Sequence, residues 1–361
     1  MIKFVHGLEL SEEFFLSAVQ PIMKEKFLQI AYAAARLDYG SDVLGFDTPM
    51  SMDHGWGPKL SLYLSQENYA AYHDQLDDYF ANHLPFDVLG FPTNFAEPYA
   101  DGGVMSYKDT YPIHHMIEIT TPDKWCSNYL GVDIDHPISV KTWLTIPQQR
   151  LATLQAGRIY HDDLGIITEY RHKMRWYPHD IWLYLLANQW QRIDQDEPFI
   201  GRTGSVGDEL GSQLISARLV QDLMGLGFLM HRIYTPYRKW FGSAFQRLEI
   251  TPKVVPIFQK ILSCKNWEER EKHLSKAYLF FSQEHNKLGL THFIEPEISN
   301  FYDRPFLVPH AARFANALYA QIKDPEVIAL PRNLGSIDQI CDNTDILENI
   351  EACKKLRMLY E

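Results

Sequence analysis

The sequence predicts an α+β chain: a small mixed sheet with helices, followed by a mainly helical bundle. Three observations predict it. Apolar and polar residues alternate at 58–65 and 114–120, the period of a strand with one face buried. From about residue 176 the apolar residues recur at helical spacing instead. The 361 residues are also too many for one ordinary core, so two domains are expected, 1–170 and 171–361.

Taken in order, residues 11–31 read as a helix. Ser11 and Glu13 precede an apolar run, and Ile22, Phe27, Ile30 and Ala34 recur at helical spacing. "ARLDY" before Gly40 reads as a short strand. In "PKLSLYLS" (58–65), Leu60, Leu62 and Leu64 alternate with Lys59, Ser61 and Tyr63, as in a half-buried strand. Residues 66–83 read as a helix. Pro, Gly and aromatic residues crowd 85–112, which reads as an irregular loop or an inserted hairpin. "HHMIEIT" sets Met116 and Glu118 on one side and Ile117 and Ile119 on the other. "GRIYHDDLG" (157–165) reads as a strand entering a turn.

In the second half, "HDIWLYLLANQWQRI" places Trp182, Leu186 and Trp190 on one helix face. A long apolar helix follows, with Asp208 where an N-cap belongs. Helical pattern continues at 252–286, 306–322 and 336–357.

Composition narrows the function classes. Apolar residues make up 46% and aromatics 13%, enough for a sizeable core. Formal net charge is -12, from 34 basic and 46 acidic side chains. That disfavours non-specific binding to nucleic acid or to an anionic membrane. Two basic islands remain, "YRHKMR" (170–175) and "YRKW" (237–240). The four cysteines form no C-x-x-C pair, which suits a reducing compartment. The first residues carry no signal-peptide pattern and the apolar runs fall short of a membrane span. A cytoplasmic protein is expected.

The chemistry concentrates at 39–64. Nucleotide transfer needs backbone N–H groups at the triphosphate, hence glycine or a small residue where the chain approaches closely. It also needs carboxylates for a divalent metal. Two acids at i and i+2 on a strand share a face. Tyr39, Gly40 and Ser41 supply an apolar–Gly–Ser start, and Asp53 follows after residues 42–52. This pattern resembles the signature of the nucleotidyltransferase superfamily, as in the enzymes that adenylylate aminoglycosides and lincosamides. "GSDVLGFDTPMSMDHGWGPKL", "GRIYHDDLG", "YPHDIWLYLLANQW", "FIGRTGSVGDELGS", "LMHRIYTPYRKWFGSAF" and "HNKLGL" resemble, more closely, an uncharacterised bacterial domain-of-unknown-function family of nucleotidyltransferase-like proteins. The resemblance spans roughly 35–320. It implies a small mixed sheet carrying a metal site, followed by a helical bundle that completes the substrate pocket.

On that resemblance, Asp53 and Glu118 are the expected catalytic residues and magnesium ligands. Glu97, Asp101 and Asp109 compete for the place of Glu118. Gly40, Ser41, Arg202 and Lys239 are candidates for the nucleotide, ATP or another nucleoside triphosphate. Asp208, with Glu209 beside it, and Tyr237 are candidates for the substrate; helix capping competes as the role of Asp208. Asp162-Asp163 fit turn chemistry, and Arg218 with Asp222 an internal ion pair. One position departs from the superfamily: Gly55 stands where a second acid belongs, and a glycine ligates nothing through a side chain. Asp53 and Glu118 then hold one metal, or His54 or Asp47 substitutes, or the chain binds nucleotide without transferring it. Two functions follow. One is magnesium-dependent transfer of a nucleoside monophosphate to a hydroxyl or amine of a small molecule or protein. The other is a catalytically impaired nucleotide-binding, antitoxin or regulatory protein. Nucleic-acid substrates are disfavoured.

Overall fold

The computed structural model describes residues 3–96, 103–133 and 135–361. The chain starts with one helical run: α1 (Gly7–Phe14), a π-helical turn (Phe15–Val19) and α2 (Gln20–Lys26). Strands β1 (Tyr32–Arg36) and β2 (Lys59–Leu64) follow, then α3 (Gln66–His83). Ser65 caps α3 by accepting the Asn68 N–H at 3.1 Å. A small hairpin, β3 (Asp87–Val88) with β4 (Phe91–Pro92), occupies part of 85–112. Glu97 and Asp101 lie outside the described residues. Next come β5 (Met116–Thr120), α4 (Pro122–Trp125), α5 (Val140–Thr145), α6 (Gln148–Ala156), β6 (Arg158–Asp162) and α7 (Ile166–Lys173). The helices α8 (His179–Asp196), α9 (Phe199–Gly204) and α10 (Glu209–Met230) lead to α11 (Arg238–Phe245), α12 (Thr251–Ser263) and α13 (Trp267–Lys287). A hairpin, β7 (Ser299–Phe301) with β8 (Arg304–Val308), precedes α14 (Ala312–Tyr319), and short helical turns continue from 325.

The chain divides into two compact units. The first comprises Met1–Ile138 and Gln149–Arg175, the second Ser139–Gln148 and Trp176–Glu361.

In the first unit four strands form a mixed sheet in the order β5-β2-β1-β6. β1 runs antiparallel to β2 and β6, and β2 runs parallel to β5. A parallel pair needs a crossover, and α3 lies within it. Leu60, Leu62, Leu64, Ile117 and Ile119 point to one face of the sheet, where Leu10, Phe14, Phe15, Leu76 and Phe80 complete the core. Each such side chain stabilises the fold by about 1.5–3 kcal/mol on burial.

Three expectations are corrected here. The first strand lies at Tyr32–Arg36, so Asp38 and Tyr39 belong to the turn after it. β2 is buried at all six positions, not half-buried, because it is an inner strand with both faces covered. On the face of Lys59 and Ser61, Tyr63 meets Trp125 edge-on at 5.8 Å, while Ala33 and Ala35 lie opposite Tyr63 and Ser61. The expected first helix also starts earlier, at Gly7.

In the second unit α8 is central. Trp182, Leu186 and Trp190 are buried, but so are Leu183, Leu185 and Ala187, so the helix has no solvent face over that stretch. Trp190 stacks on Phe314 of α14 at 4.4 Å. The pattern at 252–286 is two helices, broken at Cys264 and restarted by Asn266, which accepts the Glu269 N–H at 2.9 Å. Residues 304–308 are a strand rather than the start of a helix; Pro305 lies within it and Pro309 follows it. Among the described residues, no helix is long and apolar enough to cross a membrane.

Candidate functional site

A group of buried charges in the first unit lies where β1 ends. Arg36 is almost fully buried, and its guanidinium pairs with Asp38 and, at 3.1 Å, with Asp42. It also donates to the Tyr39 carbonyl at 2.8 Å. The turn 38–42 therefore wraps around one cation. That wrapping explains Gly40: its φ is +147°, and a Cβ there would lie 1.9 Å from an Asp42 oxygen. Only glycine fits so close to the carboxylate. The Ser41 carbonyl accepts the Phe46 N–H at 2.8 Å and closes the turn.

Near this turn, β2 carries Lys59 and Ser61 at alternate positions, which share a face. Ser61 lies opposite Glu118 of β5, and its hydroxyl donates to Glu118 at 2.9 Å. Lys59 is only 4% exposed, and its Nζ sits 5.0 Å from the centre of the Tyr39 ring. Burial pulls the Lys59 ammonium down to about 7; Arg36 pushes the same way, while Asp42 and Glu118 oppose it. Burial, with the Glu118 charge adding to it, raises the Tyr63 hydroxyl well above its usual range.

Asp53 ends a short 3-10 turn, Pro49–Asp53, six residues before β2. Its carboxylate accepts the His54 N–H at 3.1 Å and meets the His54 ring at 3.1 Å. Its side chain is 65% exposed. Slight burial works to raise its carboxyl, but its own and the His54 N–H groups and the His54 charge hold it below the usual value. Gly55 has φ +61° and donates its N–H to the Gly103 carbonyl at 2.9 Å. The glycine thus has a backbone reason, the left-handed conformation, in which aspartate is among the better-tolerated alternatives. Asp47 does not substitute for the missing acid. It accepts from the Gly7 N–H at 2.7 Å and the Trp56 indole at 3.0 Å, and meets His6 at 2.9 Å. Among the described residues no group of three or more His, Cys, Asp or Glu side chains is placed to hold a metal ion.

Four expected residues belong to the second unit. Arg202 of α9 lies 5.4 Å from the Phe199 ring, and Lys239 of α11 lies 5.1 Å from the Trp240 ring. Tyr237 precedes α11, and burial raises its hydroxyl. Asp208 caps α10 by accepting the Gly211 N–H at 2.8 Å, and Glu209 accepts the Trp267 N–H at 3.2 Å. We expect Asp208→Ala to cost about 1 kcal/mol in denaturant unfolding; unchanged stability would show that the cap is not what Asp208 supplies.

Two further expectations resolve locally. Asp162 accepts the N–H and hydroxyl of Thr168 at 2.9 and 2.7 Å, which is turn chemistry. Arg218 pairs with Asp196 at 3.0 Å, not chiefly with Asp222, which Arg192 holds at 2.9 Å. The residues that sequence reasoning missed are Arg36, Asp42, Lys59 and Ser61. A signal existed for Lys59 and Ser61: Tyr63, a large aromatic, shares their side of the strand and needs cover.

Residues 143–241 match the family model described as a domain of unknown function (DUF4037). No curated protein matches the chain. Among solved structures, a nucleotidyltransferase-like protein from Exiguobacterium sibiricum 255-15 is similar at a TM-score of 0.33 and 10% identity, over 84% of this chain and 88% of that one.

Proposed function

We propose that the first unit is a nucleotidyltransferase-like site that binds a nucleoside triphosphate, with ATP as the first candidate, and does not transfer it. Three features support the reading. Gly40 and Ser41 precede Asp53 at the superfamily spacing. A mixed sheet sets β2 beside an acid-bearing parallel strand. A buried cation stands next to the Gly40-Ser41 turn.

The superfamily implies magnesium, and the side chains present do not fit it. Magnesium is held by one or two carboxylates, with phosphate and water oxygens completing an octahedron. The alternate positions of β2 that face Glu118 carry Lys59 and Ser61, a cation and a hydroxyl. A lysine ammonium there repels a divalent ion. Asp53 lies outside the strand, bonded to His54. The cation and hydroxyl that Lys59 and Ser61 set on the face of Glu118 are the observation that carries the binding reading.

The transferase reading keeps one observation in its favour: the exposed Asp53 carboxylate at the superfamily spacing. In that reading a nucleoside monophosphate passes to a hydroxyl or amine with release of pyrophosphate.

The two readings separate in one pair of assays. ATP is expected to raise the melting temperature of the full chain, with no pyrophosphate released in the presence of magnesium and a mixed metabolite pool. An unchanged melting temperature would sink nucleotide binding. Pyrophosphate release that Asp53→Asn abolishes would establish the transferase.

A further inference from the structure

We propose that the Lys59 ammonium takes the place of the metal, so that the site binds the phosphate chain of a nucleoside di- or triphosphate without a divalent cation. The inference rests on the nucleotide-binding reading above and names the charge that replaces magnesium in it.

The geometry supplies the steps. A phosphate chain brings several negative charges to a site, and a cation must meet them. Arg36 is already committed to Asp38, Asp42 and the Tyr39 carbonyl. Lys59 is not committed in this way: its Nζ faces the Tyr39 ring at 5.0 Å. Tyr39 is 49% exposed, so the residue whose ring meets the ammonium also meets solvent. Exchanging a ring contact for a phosphate oxygen replaces a cation–π interaction with a stronger charge-assisted hydrogen bond. Gly40 and Ser41 follow Tyr39 directly in the same turn.

Glu118 gives the proposal its sharpest consequence. Its carboxylate bonds the Ser61 hydroxyl and acts on Lys59. As a metal ligand it would strengthen nucleotide binding. Beside a metal-free phosphate site it repels the ligand and competes for Lys59. The two roles predict opposite signs for Glu118→Gln, which keeps an acceptor for Ser61 and removes the charge.

Calorimetric titration of the full chain with ATP, once in EDTA and once in magnesium, tests this. The expected affinity in EDTA is within about threefold of that in magnesium. Lys59→Met should weaken binding about tenfold or more, the loss of one charge-assisted bond. Glu118→Gln should tighten it. Binding that requires magnesium, or that Glu118→Gln weakens, overturns the inference and leaves nucleotide binding standing. Absence of ATP binding in both buffers overturns both. If Lys59→Met fails to fold, the magnesium dependence and the sign at Glu118 decide alone.

Discussion

Replacing Arg36 with methionine should destabilise the first unit by about 3–5 kcal/mol, the cost of stranding buried partners of a removed charge. Arg36 is 1% exposed and is the shared partner of Asp38 and Asp42. Asp42 is itself buried, so the variant leaves a carboxylate without its cation in a poorly solvated place. The Tyr39 carbonyl loses its donor as well. Denaturant unfolding of Arg36→Met, Asp42→Asn and the double variant measures the effect. A large favourable coupling between the two sites is expected, because each removal damages the same pair. Additive losses would show that the turn does not depend on it.

Replacing Lys59 with methionine should do the reverse, stabilising the chain while removing nucleotide affinity. Burial pulls Lys59 down to about 7 in the folded chain, against about 10.4 in an unfolded one. Between those values the unfolded chain holds a proton that the folded chain lacks, so parent stability rises with pH across that window. At and below pH 7 the whole cost of the buried cation is present. Methionine conserves volume and removes that cost, roughly 4–5 kcal/mol below pH 7. The gain should fade as pH approaches 10. The charges that act on Lys59 are Arg36, Asp42 and Glu118, and Asp42 keeps Arg36 as its partner in the variant. Melting temperatures of parent and variant from pH 6 to 10 check this. A variant less stable than the parent at pH 6 would make Lys59 a stabilising ion-pair partner rather than a group held at a cost for binding.

The fold was legible where local pattern and tertiary environment agree. Alternation at 114–120 matches β5, the helical spacing at 66–83 matches α3, and Asp208 caps α10. It was misread where neighbours decide. The Lys59, Ser61 and Tyr63 set reads as the outer side of a strand, but Trp125 meets Tyr63 there, and the size of Tyr63 is the one local sign of that cover. Phe306, Leu307 and Val308 extend the helical period of 312–319 on paper, while the flanking prolines favour an extended run.

Part of the candidate site was legible in the sequence: Gly40 and Ser41 lie in the turn around Arg36, and Glu118 lies on β5 opposite Ser61. The reason for Gly40, its closeness to the Arg36–Asp42 pair, needs three-dimensional contact. So does the neighbour of Glu118, because Ser61 and Glu118 are 57 residues apart. Asp53 was singled out by spacing along the chain, and Gly55 and Gly57, both at positive φ, interrupt the strand geometry that such spacing assumes.

The most direct test is a crystal structure of the full chain soaked with a nonhydrolysable ATP analogue in EDTA, beside a second soak in magnesium. Phosphate oxygens should lie within hydrogen-bond distance of Lys59 Nζ in both, with the Tyr39 ring displaced. A phosphate chain seen only in magnesium, coordinated through Asp53 and Glu118 and away from Lys59, would contradict that arrangement.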